Sequence, residues 1–515
     1  MISIGNTFGG VILTVIMAIF LFAGILVGLF LITRNAGTPK DKVYKSSIIP
    51  VSLLIIGAIG LIIRLVFALL IRGYRDDIGL MTLIIQATGL SSIYGGITTP
   101  NTLSPIMVYL MSIMGGFGSL FGVEADTVGM QMLIKIPFIL ADIGVFVLIY
   151  FIASRYLNKA ISVVLASLVY LSPAVLWNSA ISGQFNSITA LILLGVLYLM
   201  LKRKFLFMII LYGVAVLTDS FALWFFPPLA ILLGYYFVRA IQYIRGEQIG
   251  FRDKRLVTDA NARPIVSVPF YLIATLIGMY LVTLPLMAGQ MFESRNFFTV
   301  FFNDFLIQPF GSNVLFGNNA LSVYNIFLRN WLPLGDGFPH TIFAWAFVAL
   351  VFGIVAFVYF SKKNRANLAL ATIYAVFTVA FYFVGFREST LIVLLPLLIL
   401  AYVIIQDKRI MHIFAVLSLI IFINSATVML SAYWLNNESI SAFAGTNTHH
   451  LISGFGRVVN IICSGIAFML HIYFTYILLD IAMSNSRRQI RTFDTKPNFA
   501  DAIVDWISIK KRKGE

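Results

Sequence analysis

The chain has 515 residues, a formal net charge of +15, a mean hydropathy of +0.95 and only 11% charged residues. A soluble domain carries about 25% charged residues, so this composition excludes a soluble globular protein and indicates an all-α polytopic membrane protein. The apolar runs are continuous rather than alternating, which argues against a lipid-facing barrel.

The basic excess sits in short loops between apolar runs. That is the pattern of the positive-inside rule, and nucleic acid is not an expected partner. A single cysteine, Cys463, excludes an internal disulfide framework and a Cys-based metal site.

Hydropathy and length predict about 13 spans. They cover residues 11–33, 47–71, 131–153, 160–177, 187–201, 205–218, 221–240, 265–287, 340–361, 366–384, 390–406, 409–431 and 456–483. The first run, from Val11, has no basic residue ahead of it and no small-residue cleavage signal. It is expected to be a retained span rather than a signal peptide. Basic loops follow every odd-numbered span: Arg34 to Lys45, Arg155 and Lys159, "KRK", "RDKR", "SKKNR" and "QDKR". These loops are expected to be cytoplasmic. The division that follows is residues 1–46, an extra span and basic loop; 47–406, the main transmembrane module with outer loops 72–130 and 288–339; 407–483, the C-terminal spans; and 484–515, a basic cytoplasmic tail.

Polar groups that are not topology markers then collect on the outer face. The first are Asp76 and Asp77 in "RGYRDDIGL". A carboxylate at the membrane edge is costly unless it is solvated, paired or used. Arg72 and Arg75 are at hand to pair with these two, so a solvated helix end is one reading and a reactive acid the other. Next comes "WNSAISGQFNSI", a tight polar turn with Trp177, Gln184 and Asn186. "VGFREST" follows, with Arg387 and Glu388 where the positive-inside rule would not put an arginine. A guanidinium at headgroup depth matches phosphate geometry bidentately, while an internal pair with Glu388 would also account for it. Apolar stretches in loops 72–130 and 288–339 read as interfacial helices.

These segments and their order resemble the GT-C superfamily of polytopic glycosyltransferases. The similarity is to the branch of mannosyl- and glucosyltransferases that use a polyprenyl-phosphate sugar. It runs through "GYRDD", Ser104-Pro105, "KIPFILADIGVFVLIY", "LSPAVLWNSAISGQFNSI", "ALSVYNIFLRNW" and "VGFREST", over roughly residues 48 to 400. Gly73, Tyr74 and Asp77 fit the family's Gly-Tyr-x-x-Asp. Departures are Leu103-Ser104-Pro105 for Tyr-Pro-Pro, Asn186 for the aspartate after Gly-Gln, Asp219 in a segment that usually carries lysine, and Arg387-Glu388-Ser389-Thr390 for His-Glu-Arg-Tyr.

The resemblance implies a GT-C-like bundle and inverting transfer of a hexose to a glycan, lipid or polymer acceptor outside the cytoplasm. It makes Asp77 the general base, with Asp76 as the fallback. Arg387, then Arg329, is the candidate for the donor phosphate. Gln184, Asn186, Glu388 and Trp177 are candidates for binding sugar. A donor leaving as a monophosphate requires no divalent metal, so no cofactor is expected, and the pair His449–His450 reads as a solvated loop. The expected partners are the polyprenyl-phosphate sugar, the acceptor and membrane lipid. Asp142, mid-span in "LADIG", is expected to pair with a neighbouring helix. A catalytically degenerate scaffold and a lipid-linked-sugar transporter are the rival classes. Composition favours a bacterial plasma membrane with the site outward; the terminal "KRKGE" would suit an endoplasmic-reticulum protein instead.

Overall fold

The computed structural model describes residues 48–71, 73, 75–87, 93, 104–124, 127–247, 268–287, 319–327, 340–362, 364–434 and 455–483, with only the backbone at some helix ends, including 75–77. The expected first span, the tail from 484, Arg72, Tyr74, Arg329 and His449–His450 lie outside these residues, as does most of 288–339.

Every described element is helical; the one extended pairing among the described residues is an isolated antiparallel bridge between Asn319 and Arg387. In chain order the α-helices are α1 (Ile48–Leu70), α2 (Arg75–Gln86), α3 (Pro105–Leu120), α4 (Val128–Ala153), α5 (Lys159–Tyr170) and α6 (Pro173–Leu176). They continue as α7 (Asn186–Leu201), α8 (Phe205–Thr218), α9 (Phe226–Ile244), α10 (Val268–Met287) and α11 (Val323–Phe327). The last five are α12 (His340–Lys362), α13 (Arg365–Tyr382), α14 (Leu394–Ile405), α15 (Lys408–Trp434) and α16 (Phe455–Met483). Among the described residues, seven helical stretches with no break are long and apolar enough to cross a membrane: those of α1, α4, α9, α10, α12, α15 and α16. Helices α3, α7, α8, α13 and α14 are apolar but shorter.

The helices sort by what surrounds them. Helix α14 is apolar all round, and Leu394 through Ile404 are all buried. Such a helix must lie inside the bundle, and it packs against α4, α5, α7, α13 and α15. Helix α1 instead leaves Leu54, Ile59 and Ile62 exposed, and α10 leaves Phe270 and Ile273 exposed. Outward aliphatic rows on spanning helices are the surface a bilayer covers.

The span expected at 160–177 is broken. Helix α5 ends at Tyr170, and Pro173 restarts the chain as α6, which runs into a π-helical turn, Trp177–Ser182, at an angle of 47° to α5. Proline has no N–H and its ring clashes with the preceding turn, so it suits the first position of the second piece and not the interior of one helix. The break frees the Tyr170 carbonyl, and Arg64 Nη2 of α1 donates to it at 2.5 Å. The same guanidinium lies over the Tyr170 ring and donates through Nε to Asp142 Oδ2 of α4 at 2.8 Å. Ser179 Oγ, beyond the break, donates to that oxygen at 2.5 Å. The pairing expected of Asp142 is therefore present, and its partner is Arg64. Both residues are at most 1% exposed.

Removing one partner of a buried ion pair strands the other charge, at a cost of about 3–5 kcal/mol. Asp142→Leu and Arg64→Met should each destabilise the protein by that amount in a detergent-unfolding titration from bicelles. The double variant should be closer to wild type than either single one.

Candidate functional site

The polar segments picked out by sequence meet at one end of the bundle. Chain exits α1 at Ile71, passes Gly73 and enters α2, whose first turn contains Asp76 and Asp77. These acids thus sit on the backbone of a helix start rather than in a loop. Gly73 has φ +94°, and a Cβ there would stand 2.6 Å from the Ser182 carbonyl oxygen. Only glycine permits both the left-handed backbone and that approach. One residue past Asp77, Ile78 packs over Gly183, at 3.0 Å from where a Cβ would be. The start of α2 is therefore seated on the end of the π-helical turn.

Gly183, with φ +73°, ends that turn, and the Gln184 amide donates to the Asn178 carbonyl at 2.9 Å. Gln184 Nε2 then donates to Glu388 Oε1 at 3.0 Å. Asn186 Nδ2 donates to Ser389 Oγ at 2.7 Å and to Asn178 Oδ1 at 3.1 Å. "ISGQFNS" and "VGFREST", about 200 residues apart, are thus joined by two direct side-chain bonds. Glu388, Ser389, Gln184 and Asn186 are buried, whereas Arg387, in the second of these loops, is exposed.

Asp219 is the group sequence reasoning passed over. It follows α8 and caps a 3-10 turn, Ser220–Phe225, accepting from the Phe221 amide at 2.9 Å and from Thr189 Oγ1 of α7 at 3.1 Å. Phe221 meets Phe386 edge-on with ring centres 5.3 Å apart, which carries Asp219 to the loop holding Arg387. Its side chain keeps some solvent access while lying deep among protein atoms. Burial pushes its carboxyl above the ordinary aspartate range; the bonds from Phe221 and Thr189 and the charge of Arg387 pull it back in part. The available signal was its place on the expected outer face, in an Asp-Ser-Phe pattern suited to capping a turn. Ser104 Oγ donates to the Thr218 carbonyl at 2.5 Å, so the Ser104-Pro105 start of α3 joins the same cluster.

Further contacts to this cluster come from α15 and α16. Asn424 and Asn460 donate to the Asn319 carbonyl at 2.8 and 3.2 Å, and Asn319 pairs with Arg387 through the backbone. The hydroxyls of Ser322, Ser425 and Ser464, on the elements that bring in these amides, are buried without a bonding partner. Trp177 is only 3% exposed; its ring packs edge-on against Phe422 and has no open face for a sugar. Among the described residues no three His, Cys, Asp or Glu side chains cluster as a metal site.

Asn186→Leu removes the donor to both Ser389 and Asn178 and should cost about 1–3 kcal/mol, read by detergent unfolding. Asp219 titrates higher folded than unfolded, so its contribution to stability is full in acid and is lost as pH rises through its raised value. Wild type should therefore lose stability relative to Asp219→Asn as pH climbs above 3.8, the ordinary aspartate value. An identical pH dependence in the two proteins would refute this.

No protein-family model matches the sequence, and no curated protein matches it.

Proposed function

We propose that the chain is a membrane glycosyltransferase that moves a hexose of mannose or glucose type from a polyprenyl-phosphate sugar to a glycan, lipid or polymer acceptor on the extracytoplasmic face. The observation that carries the reading is the junction of "ISGQFNS" with "VGFREST" through Gln184–Glu388 and Asn186–Ser389, with Arg387 of "VGFREST" exposed and Asp219 alongside. It joins amide donors, carboxylates and an accessible guanidinium, next to the start of the helix bearing Asp76 and Asp77. We further propose a bundle of about 13 spans, counting the shorter apolar helices, in a bacterial plasma membrane with this mouth outward. In it α2 and α3 lie at the interface.

Transfer needs a base to take the acceptor hydroxyl proton as its oxygen attacks the anomeric carbon. The lipid phosphate leaves as that bond forms, which inverts the centre. Asp77 is assigned as base, with Asp76 and now Asp219 as the alternatives. Arg387 receives the developing phosphate charge, where a planar guanidinium can make two bonds at once. Gln184, Asn186 and Glu388 supply sugar-hydroxyl partners.

A second reading, transport of a lipid-linked sugar, is favoured by one observation: a broken span with a buried ion pair at its break. The pair is largely occupied with holding the two pieces of that span together, which leaves the mouth as the better-supplied site.

The test uses full-length protein in lipid nanodiscs with tritiated polyprenyl-phosphate mannose or glucose and a glycan acceptor. Wild type should transfer label, and Asp77→Asn should lower the rate by ~10²–10⁴ with folding unchanged. Arg387→Ala should weaken donor use more than Arg387→Lys. Full activity in Asp77→Asn, Asp76→Asn and Asp219→Asn alike would refute the base assignment. Movement of the lipid-linked sugar across proteoliposomes without transfer would favour the second reading.

A further inference from the structure

Lys135 stands on α4 inside the bundle, fully buried. A lysine so placed is costly unless its charge is met. All three donors of its ammonium go to main-chain carbonyls: Ile71 at 2.5 Å, Ala180 at 2.9 Å and Ile181 at 3.1 Å. Ile71 immediately follows the last residue of α1, and Ala180 and Ile181 lie in the last turn of the π-helical segment. Final carbonyls of a helix have no partner within it, and they carry the negative end of the helix dipole. Two helix ends of like polarity therefore converge on one ammonium. Gln131, one turn earlier on α4, donates to Ala68 and Ile71 and closes the same end of α1.

The two ends are the points from which the mouth is built. Beyond Ile71 the chain turns through Gly73 into the helix that bears Asp76 and Asp77. Beyond Ile181 it turns through Gly183 into Gln184 and Asn186. Without a cation between them, two carbonyl-bearing ends would repel, and the Ala180 and Ile181 carbonyls would lose the ammonium donor while Ile71 kept only Gln131.

We propose that Lys135 is the positioning residue of this mouth. Its ammonium locks the exit of α1 to the end of the π-helical turn and so sets where the start of α2 stands relative to Gln184, Glu388 and Arg387. The functional part of the proposal rests on the transferase reading; the clamp itself does not. Sequence alone gives Lys135 no such role, because a lone lysine early in a span reads as an interfacial anchor.

The clamp is tested by distance rather than by activity. In full-length protein with Cys463→Ala, nitroxides are attached at Leu83→Cys on α2 and Phe151→Cys on α4, both exposed positions. A control pair uses Phe151→Cys and Phe207→Cys on α8, also exposed. Electron-electron double resonance in lipid nanodiscs should give one narrow Leu83–Phe151 distance in the Lys135 protein. Lys135→Met should broaden or shift it while the control distance stays fixed. Lys135→Gln, which keeps two N–H donors, should fall between.

An unchanged Leu83–Phe151 distance in a folded Lys135→Met protein overturns the clamp. If that variant does not fold, Lys135→Gln decides by the same comparison. Loss of the control distance in both variants would assign Lys135 to folding as a whole and would also overturn the proposal. With the sugar donor assay in hand, Lys135→Met should lower kcat at least tenfold with KM for polyprenyl-phosphate mannose changed less than threefold. Failure of transfer in the wild type, with the distances behaving as expected, would refute the transferase reading and leave the clamp standing.

Discussion

A charge inside a bilayer has to be answered by protein, because no water is there to answer it. Arg64 and Asp142 answer each other at 2.8 Å through Asp142 Oδ2, and each makes one further bond to a side of the broken span, while Asp142 Oδ1 is buried without a bonding partner. Arg64 takes the carbonyl freed at Tyr170, and Asp142 takes the hydroxyl of Ser179 past the break. The 47° bend is thereby fixed between α1 and α4. Its second piece ends in the π-helical turn, and the turn ends at Gly183, where the polar mouth begins. π-Helical turns cost regular hydrogen bonding and tend to occur where geometry serves a function.

The mouth follows from that placement. With Gly183 fixed, Gln184 and Asn186 are aimed at Glu388 and Ser389 on a loop about 200 residues later. That loop begins beyond α13 and leads into α14, whose residues Leu394 through Ile404 are all buried. Rigid apolar packing below thus supports a small set of polar contacts above. Arg387 is held by its backbone pairing with Asn319 while its side chain remains accessible.

Much of this was legible from residue order. Apolar runs located the described helices, but 160–177 reads as one span, and its break at Pro173 was not read from the sequence. The resemblance directed attention to Gln184, Asn186, Arg387 and Glu388, and the structure brings those four to one place. An aromatic near a span end looks the same in sequence whether it faces a headgroup or a neighbouring helix; Trp177, expected beside a sugar, packs against Phe422. Asp219 and Lys135 were passed over because each depends on partners distant in sequence: Thr189 and the Arg387 loop for one, the carbonyls of Ile71, Ala180 and Ile181 for the other.

By itself the sequence determined solvent and element type. Composition 60% hydrophobic with 11% charged residues requires lipid, and lipid requires helices whose backbones bond internally. It also determined where the chain turns, through proline and glycine, since these act on the local backbone. Only the tertiary structure decided which buried charges answer one another, which helix is enclosed and which faces outward, and which acid shares a neighbourhood with Arg387. Those outcomes depend on contacts between residues tens to hundreds of positions apart, and local spacing carries no record of them.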